Sequence, residues 1–176
     1  MKQSERIILI DADVVSHFLT GGCILVLPKI FPYPIKVLTQ VYAELERFPK
    51  RKTEVDNLLN LKLIEKIPFP EEDMNIKKEF LRLSRERGIG ESACMAVARF
   101  RNNILASSNL RDIKTYCEAN KIVYLTTMDF LCRALSSGKM SLAQCNDFIK
   151  RVKEVRGKLP VDKMEDFKCR QIDFNS

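Results

Sequence analysis

Short apolar runs alternate along this chain with longer segments of helical periodicity, and this order limits the fold more than any other feature. The runs that are typical of strands cover residues 7–10, 35–38, 61–67, 103–106 and 122–125. The first run is continuously apolar, as expected of a parallel strand that is buried on both faces. Strands that alternate with helices predict a three-layer α/β/α sandwich around a central, mainly parallel sheet of roughly five strands.

The predicted helices differ in how much of their surface is apolar. Residues 71–87 carry apolar side chains at i, i+4 and i+7, and Gly88 is expected to end this helix. Residues 91–101 are apolar on nearly all sides, which predicts a buried helix. Thr39 is expected to cap the helix that follows the second strand.

The last helix has the clearest start. Ser141 and Gln144 have the spacing of a capping box, which predicts a helix from there to about residue 155. Gly157 and Pro160 then begin a polar tail. We therefore expect one domain over residues 1–156 and a C-terminal tail over residues 157–176.

The composition excludes several classes of protein. The 176 residues include 30 Lys and Arg against 23 Asp and Glu, which gives a formal net charge of +7. Hydrophobic residues make up 45%, as in a globular domain, and no apolar stretch is long enough to cross a membrane. The N-terminus has no secretory apolar core, so we expect a cytoplasmic protein. The surplus of positive charge favours a polyanionic partner.

The six cysteines and the single histidine form no recognisable metal motif. No two cysteines have the C-x-x-C spacing, and His17 has no second histidine or paired cysteine near it. Four of the cysteines lie within helical patterns, where a thiol packs as a small apolar group. The sequence therefore predicts reduced thiols that are mostly buried.

Polar side chains follow three of the predicted strands. They are Asp11 and Asp13 after the first strand, Ser107, Ser108 and Asn109 after the fourth, and Thr126, Thr127 and Asp129 after the fifth. Ligands of open α/β sheets bind beyond the carboxyl ends of the strands, so these side chains are candidates for a site. A buried, unpaired carboxylate costs roughly several kcal/mol, so Asp11 is expected to cap a helix, pair with a cation or bind a metal.

Two further acids lie on predicted helices. Glu91 is in the first turn of the buried helix, where the helix dipole also favours an acid. Glu44 lies in the helix after the second strand, where it is compatible with an ordinary solvated face. Together with Asp11, however, these acids come from separate segments and meet at one edge of the sheet. Such a set suits Mg²⁺ or Mn²⁺, which prefer oxygen ligands.

These residues, in this order, resemble the PIN-domain family of metal-dependent ribonucleases. The resemblance extends from residue 7 to about residue 155. It rests on the segments Ile-Leu-Ile-Asp11-Ala-Asp13-Val-Val, Val41-Tyr-Ala-Glu44-Leu, Gly88-Ile-Gly90-Glu91-Ser-Ala, Ile104-Leu-Ala-Ser-Ser-Asn109-Leu-Arg111-Asp112 and Ile122-Val-Tyr-Leu-Thr126-Thr127-Met-Asp129-Phe-Leu. Each segment is short, and what indicates the family is the order and the spacing of the five segments.

The resemblance implies a role for each matching residue. Asp11, Glu44 and Glu91 match acidic catalytic positions of the family, and Asp11, Glu91 and Asn109 would hold Mg²⁺ or Mn²⁺. The family usually has an aspartate where this chain has Asn109, so one negative charge is missing. The residues in supporting roles would be Asp13, Ser108, Asp112 and Asp129, and those that contact RNA would be Arg111, Lys50, Arg51 and Lys52.

The same resemblance implies a function. The chain would be a metal-dependent endoribonuclease that hydrolyses RNA phosphodiester bonds. A small PIN protein of this kind is similar to the toxin of a toxin–antitoxin pair. The expected partners are therefore RNA, a small antitoxin protein and a second copy in a homodimer.

Two other functions fit parts of the sequence. The missing acid at Asn109 is compatible with a catalytically weakened PIN scaffold that serves as a binding module. The run that ends in Asp11-Ala-Asp13 also fits the first motif of haloacid-dehalogenase-like phosphatases, with Asp11 as nucleophile, Asp13 as general acid and base, and Ser107 as phosphate ligand. That family also needs a later lysine followed by a strand that ends in an acidic pair, whereas the one further strand of this chain ends in Thr126-Thr127-Met-Asp129.

Overall fold

A computed structural model describes residues 6–175 and contains one sheet of five parallel strands. The strands are β1 (Ile8–Ile10), β2 (Ile35–Leu38), β3 (Glu65–Ile67), β4 (Ile104–Ala106) and β5 (Tyr124–Leu125). Their order across the sheet is β3-β2-β1-β4-β5, so β1 is central. The predicted α/β/α sandwich with a parallel five-stranded sheet is confirmed.

Helices connect the strands and flank the sheet. They are α1 (Ala12–Thr20), α2 (Thr39–Leu45), α3 (Pro49–Asn60), α4 (Met74–Leu83), α5 (Ile89–Arg101), α6 (Leu110–Ala119), α7 (Thr127–Ser136) and α8 (Leu142–Glu154). Two short 3-10 helices cover Leu27–Lys29 and Met164–Asp166. No helix among residues 6–175 is both long and apolar enough to span a membrane.

The core lies around β1 and α5. Every residue of β1 is fully buried between β2 and β4, as the continuous apolar run predicts. All residues from Gly90 to Ala98 in α5 are buried, and α5 contacts α2, α4 and three strands. The prediction of a helix that is buried on nearly all sides is confirmed.

Three predicted helix ends are wrong. The helix predicted over residues 71–87 covers only Met74–Leu83. The Asp73 carboxylate caps its start by accepting from the N–H groups of Asn75 and Ile76, and Gly88 is the N-cap of α5 rather than the residue that ends this helix. Thr39 is the first helical residue rather than a cap, and its hydroxyl donates to the Gln40 side chain.

The capping box of the last helix is confirmed. The hydroxyl of Ser141 accepts from the Gln144 N–H, and the Gln144 side chain accepts from the Ser141 N–H.

The tail beyond residue 156 packs against the domain. Met164 is buried, and its N–H donates to the Asn146 side chain over 2.7 Å. Cys169 is joined to Cys132 of α7 by a disulfide. The prediction of reduced thiols is therefore wrong for this pair, because only the fold brings cysteines 37 residues apart to a Cα–Cα distance of 5.9 Å.

A buried ion network joins α4, α5 and α6. The Glu79 carboxylate is 8% exposed and accepts hydrogen bonds from Arg82, Arg99 and the Tyr116 hydroxyl. The bonds from Arg82 contribute most to lowering the pKa of Glu79 to about 2. Because each of the three helices supplies a member, the network fixes α5 against its neighbours.

We expect Glu79→Gln to lower the free energy of unfolding by about 2 kcal/mol at neutral pH, because it removes a buried charge that three groups contact. The Glu79 contribution is complete above pH 4.5, the ordinary pKa, and is lost as the pH falls toward 2. Urea unfolding at several pH values measures both effects. Glu71→Gln is the control, since Glu71 makes only an exposed ion pair; an equal loss in both variants would contradict the role of the network.

The disulfide predicts a thiol count. Alkylation of the denatured protein should add four groups before reduction and six after it, because Cys132 and Cys169 react only when reduced. Cys169→Ser should lower the free energy of unfolding by about 3 kcal/mol, whereas Cys23→Ser, at a free cysteine, should have a much smaller effect. Six groups added without reduction would show that the bond is absent.

Candidate active site

A cleft of about 560 Å³ opens at the carboxyl edge of the sheet, beyond the ends of β1 and β4. Five carboxylates and one amide line it: Asp11, Asp13, Glu44, Glu91, Asp112 and Asn109. These acids come from four separate parts of the chain. The structure therefore brings the predicted catalytic residues Asp11, Glu44 and Glu91 together.

Asp11 occupies the end of the central strand and is 6% exposed. Its Oδ1 accepts from the Ala12 N–H over 2.8 Å, so the carboxylate caps α1. Burial raises the pKa of Asp11 well above its usual range, and the nearby charges of Asp13, Glu91 and Glu44 raise it further. Capping satisfies one oxygen, and no cation among residues 6–175 forms an ion pair with this carboxylate.

Asp13 links the ends of two strands. Its Oδ1 accepts from the Val14 N–H over 2.6 Å, and its Oδ2 accepts from the Ser108 N–H, just beyond β4, over 2.8 Å. Burial raises the pKa of Asp13, while these hydrogen bonds oppose the rise. Asp13 thus fixes the loop after β4 against the start of α1.

Glu91 faces Asp112 and Asn109 across the cleft. It is 7% exposed, and burial, followed by the charge of Asp112, raises its pKa to about 7. The Asn109 side chain opposes this rise, and its Nδ2 donates to Asp112 Oδ2 over 2.6 Å. The amide therefore lies between two carboxylates, where an aspartate would add a further negative charge.

Glu44 depends on Gly90, a glycine to which the sequence interpretation gave no role in the site. Its Oε1 accepts from the Gly90 N–H over 2.8 Å, in the first turn of α5. A Cβ at position 90 would lie 3.0 Å from that Oε1, so glycine allows this close approach. The only sequence signal is a glycine next to Glu91 at the start of a helix.

The donors of the cleft suit a hard divalent cation in their chemistry, because they are carboxylate and amide oxygens and the charges of Asp13, Glu91 and Glu44 raise the pKa of Asp11. Within residues 6–175, however, no group of three or more His, Cys, Asp or Glu side chains is arranged as a ready metal site. The side chains of Asp13 and Glu44 are instead directed to backbone N–H groups. The residue types fit Mg²⁺ or Mn²⁺, and the ligand set stays a prediction.

His17 also lines the cleft, a position that no pattern in the sequence predicts. Its Nδ1 lies 2.8 Å from the Thr127 hydroxyl, which lies 2.7 Å from the Ser108 hydroxyl. Burial, and then the charge of Arg51, lower the pKa of His17 to about 4. The imidazole is therefore neutral at physiological pH.

The predicted RNA-binding residues lie in different surroundings. Arg51 lines the cleft, and so does Lys158 of the tail, which the sequence interpretation missed. Lys52 pairs with Asp56 instead. Arg111 is exposed and is not among the residues that line the cleft.

Asp129 lies apart from the other predicted site residues. It is 3% exposed and forms a capping box with Thr126 at the start of α7. Both of its oxygens also accept from Arg170 of the tail, over 2.9 and 2.7 Å. The structure gives Asp129 a role in holding the tail and does not place it in the cleft.

Comparisons with known proteins add little to this geometry. No family model and no curated protein sequence matches the chain. Among solved structures, the crystal structure of FitAcB from Neisseria gonorrhoeae is similar over 69% of this chain and 98% of that chain, with 16% sequence identity and a TM-score of 0.47. The functional argument therefore starts from the residues of the cleft.

The single histidine allows a direct test of the electrostatics of the cleft. We expect NMR titration to give His17 a pKa of about 4 in the folded protein, and a value near 6.5 in urea, because unfolding restores water to the ring. Arg51→Gln should raise the folded value by removing the nearby positive charge. A folded value near 6.5 would contradict the buried position of the ring.

Proposed function

We propose that this protein is a metal-dependent endoribonuclease that hydrolyses RNA phosphodiester bonds in the acidic cleft. The observation that carries the proposal is the convergence of Asp11, Glu44 and Glu91, from three separate segments, at the carboxyl edge of the sheet. Asp11 and Glu91 are nearly buried, and holding acids together out of water lowers the free energy of unfolding. Acidic groups whose pKa is shifted by burial and by neighbouring charges are concentrated at functional sites.

In this proposal, Asp11, Glu91 and the side-chain oxygen of Asn109 would hold Mg²⁺ or Mn²⁺. The ion, when bound, lowers the pKa of a water molecule and stabilises charge on the attacked phosphate. Glu44 contributes a further carboxylate to the same cleft. Asp13 keeps the loop that carries Asn109 in place through the Ser108 N–H.

Cationic groups beside the acids make the cleft compatible with RNA. Arg51 and Lys158 line it, and the whole chain carries a net charge of +7. Positive charge around an acidic centre attracts the phosphate backbone of RNA, and in this proposal the acidic centre itself binds the metal.

The family resemblance extends the proposal to a toxin of a toxin–antitoxin pair that forms a homodimer in the cytoplasm. A small antitoxin protein would then cover the cleft. The neighbouring gene tests this extension: a gene for a small protein supports it, and harmless expression of this chain without such a neighbour contradicts it.

A catalytically weakened scaffold is the second candidate. Two observations favour it: Asn109 stands where an acid is usual in the resembling family, and the described acids do not form a ready metal site. The phosphatase alternative is less compatible with the structure. Both oxygens of Asp13 accept from backbone N–H groups, which leaves it poorly placed as a mobile general acid.

RNA cleavage tests the proposed function. The wild-type protein with Mg²⁺ or Mn²⁺ should cleave single-stranded RNA, and Asp11→Asn should lower the rate at least about 100-fold, because it removes a charge from the metal site. Asp147→Asn is the matched control, since Asp147 is an exposed acid on α8, outside the cleft, and it should keep the wild-type rate. Gel analysis of labelled RNA measures the rates.

Equal rates in the wild type and in Asp11→Asn would show contamination or a wrong site. A wild-type protein that binds RNA but never cleaves it would favour the weakened scaffold instead.

A further inference from the structure

A second groove lies beside the acidic cleft and shares Arg51 with it. Its volume is about 460 Å³, and it runs between the end of α1 and the start of α3. Leu19 and Ile24 contribute apolar surface, and Phe48 contributes an aromatic ring. One continuous surface therefore leads from an apolar groove into the cleft of the proposed active site.

Phe48 presents an unusually open ring. It is 52% exposed, although burial of a phenylalanine stabilises a protein by roughly 2 kcal/mol. The guanidinium carbon of Arg51 lies 4.4 Å from the ring centroid. Two planar groups, one aromatic and one cationic, are thus in contact where the groove joins the cleft.

Two cations of this groove have no acidic partner in the part of the chain that the structure describes. Among residues 6–175, no carboxylate lies within ion-pair distance of Lys50 or Arg51, whereas Lys52 pairs with Asp56. Glu54 also lines the groove and offsets part of the positive charge. The groove therefore offers an apolar, partly aromatic surface together with positive charge that is available to an anion.

We propose that this groove binds a nucleobase of single-stranded RNA, which stacks on Phe48 while Arg51 contacts the adjoining phosphate at the entrance to the cleft. A nucleotide combines a planar ring with an anion, and proteins bind single strands by pairing aromatic stacking with cations. An apolar protein segment would cover Phe48 but leave Lys50 and Arg51 without counter-charges. This inference rests on the proposed function, because it names the subsite next to that cleft.

The absence of tryptophan from the chain makes the groove directly observable. Phe48→Trp introduces the only indole, whose fluorescence is quenched when a base stacks on it. The measurement uses the full chain with Asp11→Asn, in EDTA, so that no cleavage occurs. We expect saturable quenching by a single-stranded RNA of eight nucleotides, and little quenching by a strand of equal length without bases.

Affinity gives the second readout. Phe48→Ala should weaken binding of the labelled RNA about tenfold, as expected for the loss of one stacked base, and should leave binding of the base-free strand unchanged. Phe100→Ala is the matched control. Phe100 is also exposed and lies beneath an arginine, Arg99, but it does not line either the groove or the cleft.

The outcomes separate this proposal from the proposed function. Cleavage by the wild type without quenching in Phe48→Trp overturns the groove alone, and quenching without cleavage supports the groove and overturns the hydrolase. An RNA that is neither cleaved by the wild type nor bound by the variant overturns both. Emission that changes with protein concentration in the absence of RNA would identify a second copy of the chain as the occupant and contradict the proposal.

Discussion

The burial of one carboxylate at the end of the central strand is the constraint on which the site depends. Asp11 directly follows a strand that is fully buried, so its carboxylate is also removed from water. Because β1 lies between β2 and β4, the segments that follow both neighbours open at the same edge. Glu91 and Asn109 meet Asp11 there. The charges of the neighbouring acids raise the pKa of Asp11 further, so the charged carboxylate is unfavourable unless a cation compensates it.

Backbone hydrogen bonds hold this repelling set together. Asp13 accepts from the Ser108 N–H beyond β4, and Glu44 accepts from the Gly90 N–H in α5. The packing of α5 into the core, supported by Glu79, then fixes the helix that carries Glu91. The packing of the fold thus stabilises a cluster of acids that is unfavourable without a cation, as is common at functional sites.

Much of the fold is predictable because its signals are local. The apolar run of β1 and the capping box at Ser141 depend on residues a few positions apart, and both are confirmed. The disulfide of Cys132, the approach of Gly90 to Glu44 and the position of His17 are not predictable in this way, because each depends on a partner at least 37 residues distant. In the candidate site, acids after strands were predictable, whereas the cation that the tail supplies and the hydrogen bonds that orient the acids were not.

Calorimetric titration with Mn²⁺ tests the central claim that this edge of the sheet is a metal site. We expect a measurable binding heat for the wild-type protein that disappears in Asp11→Asn and in Glu91→Gln but persists in Asp147→Asn, since only the first two change the cleft. Wild-type protein that binds no Mn²⁺, or binding that survives the loss of both Asp11 and Glu91, would contradict the account.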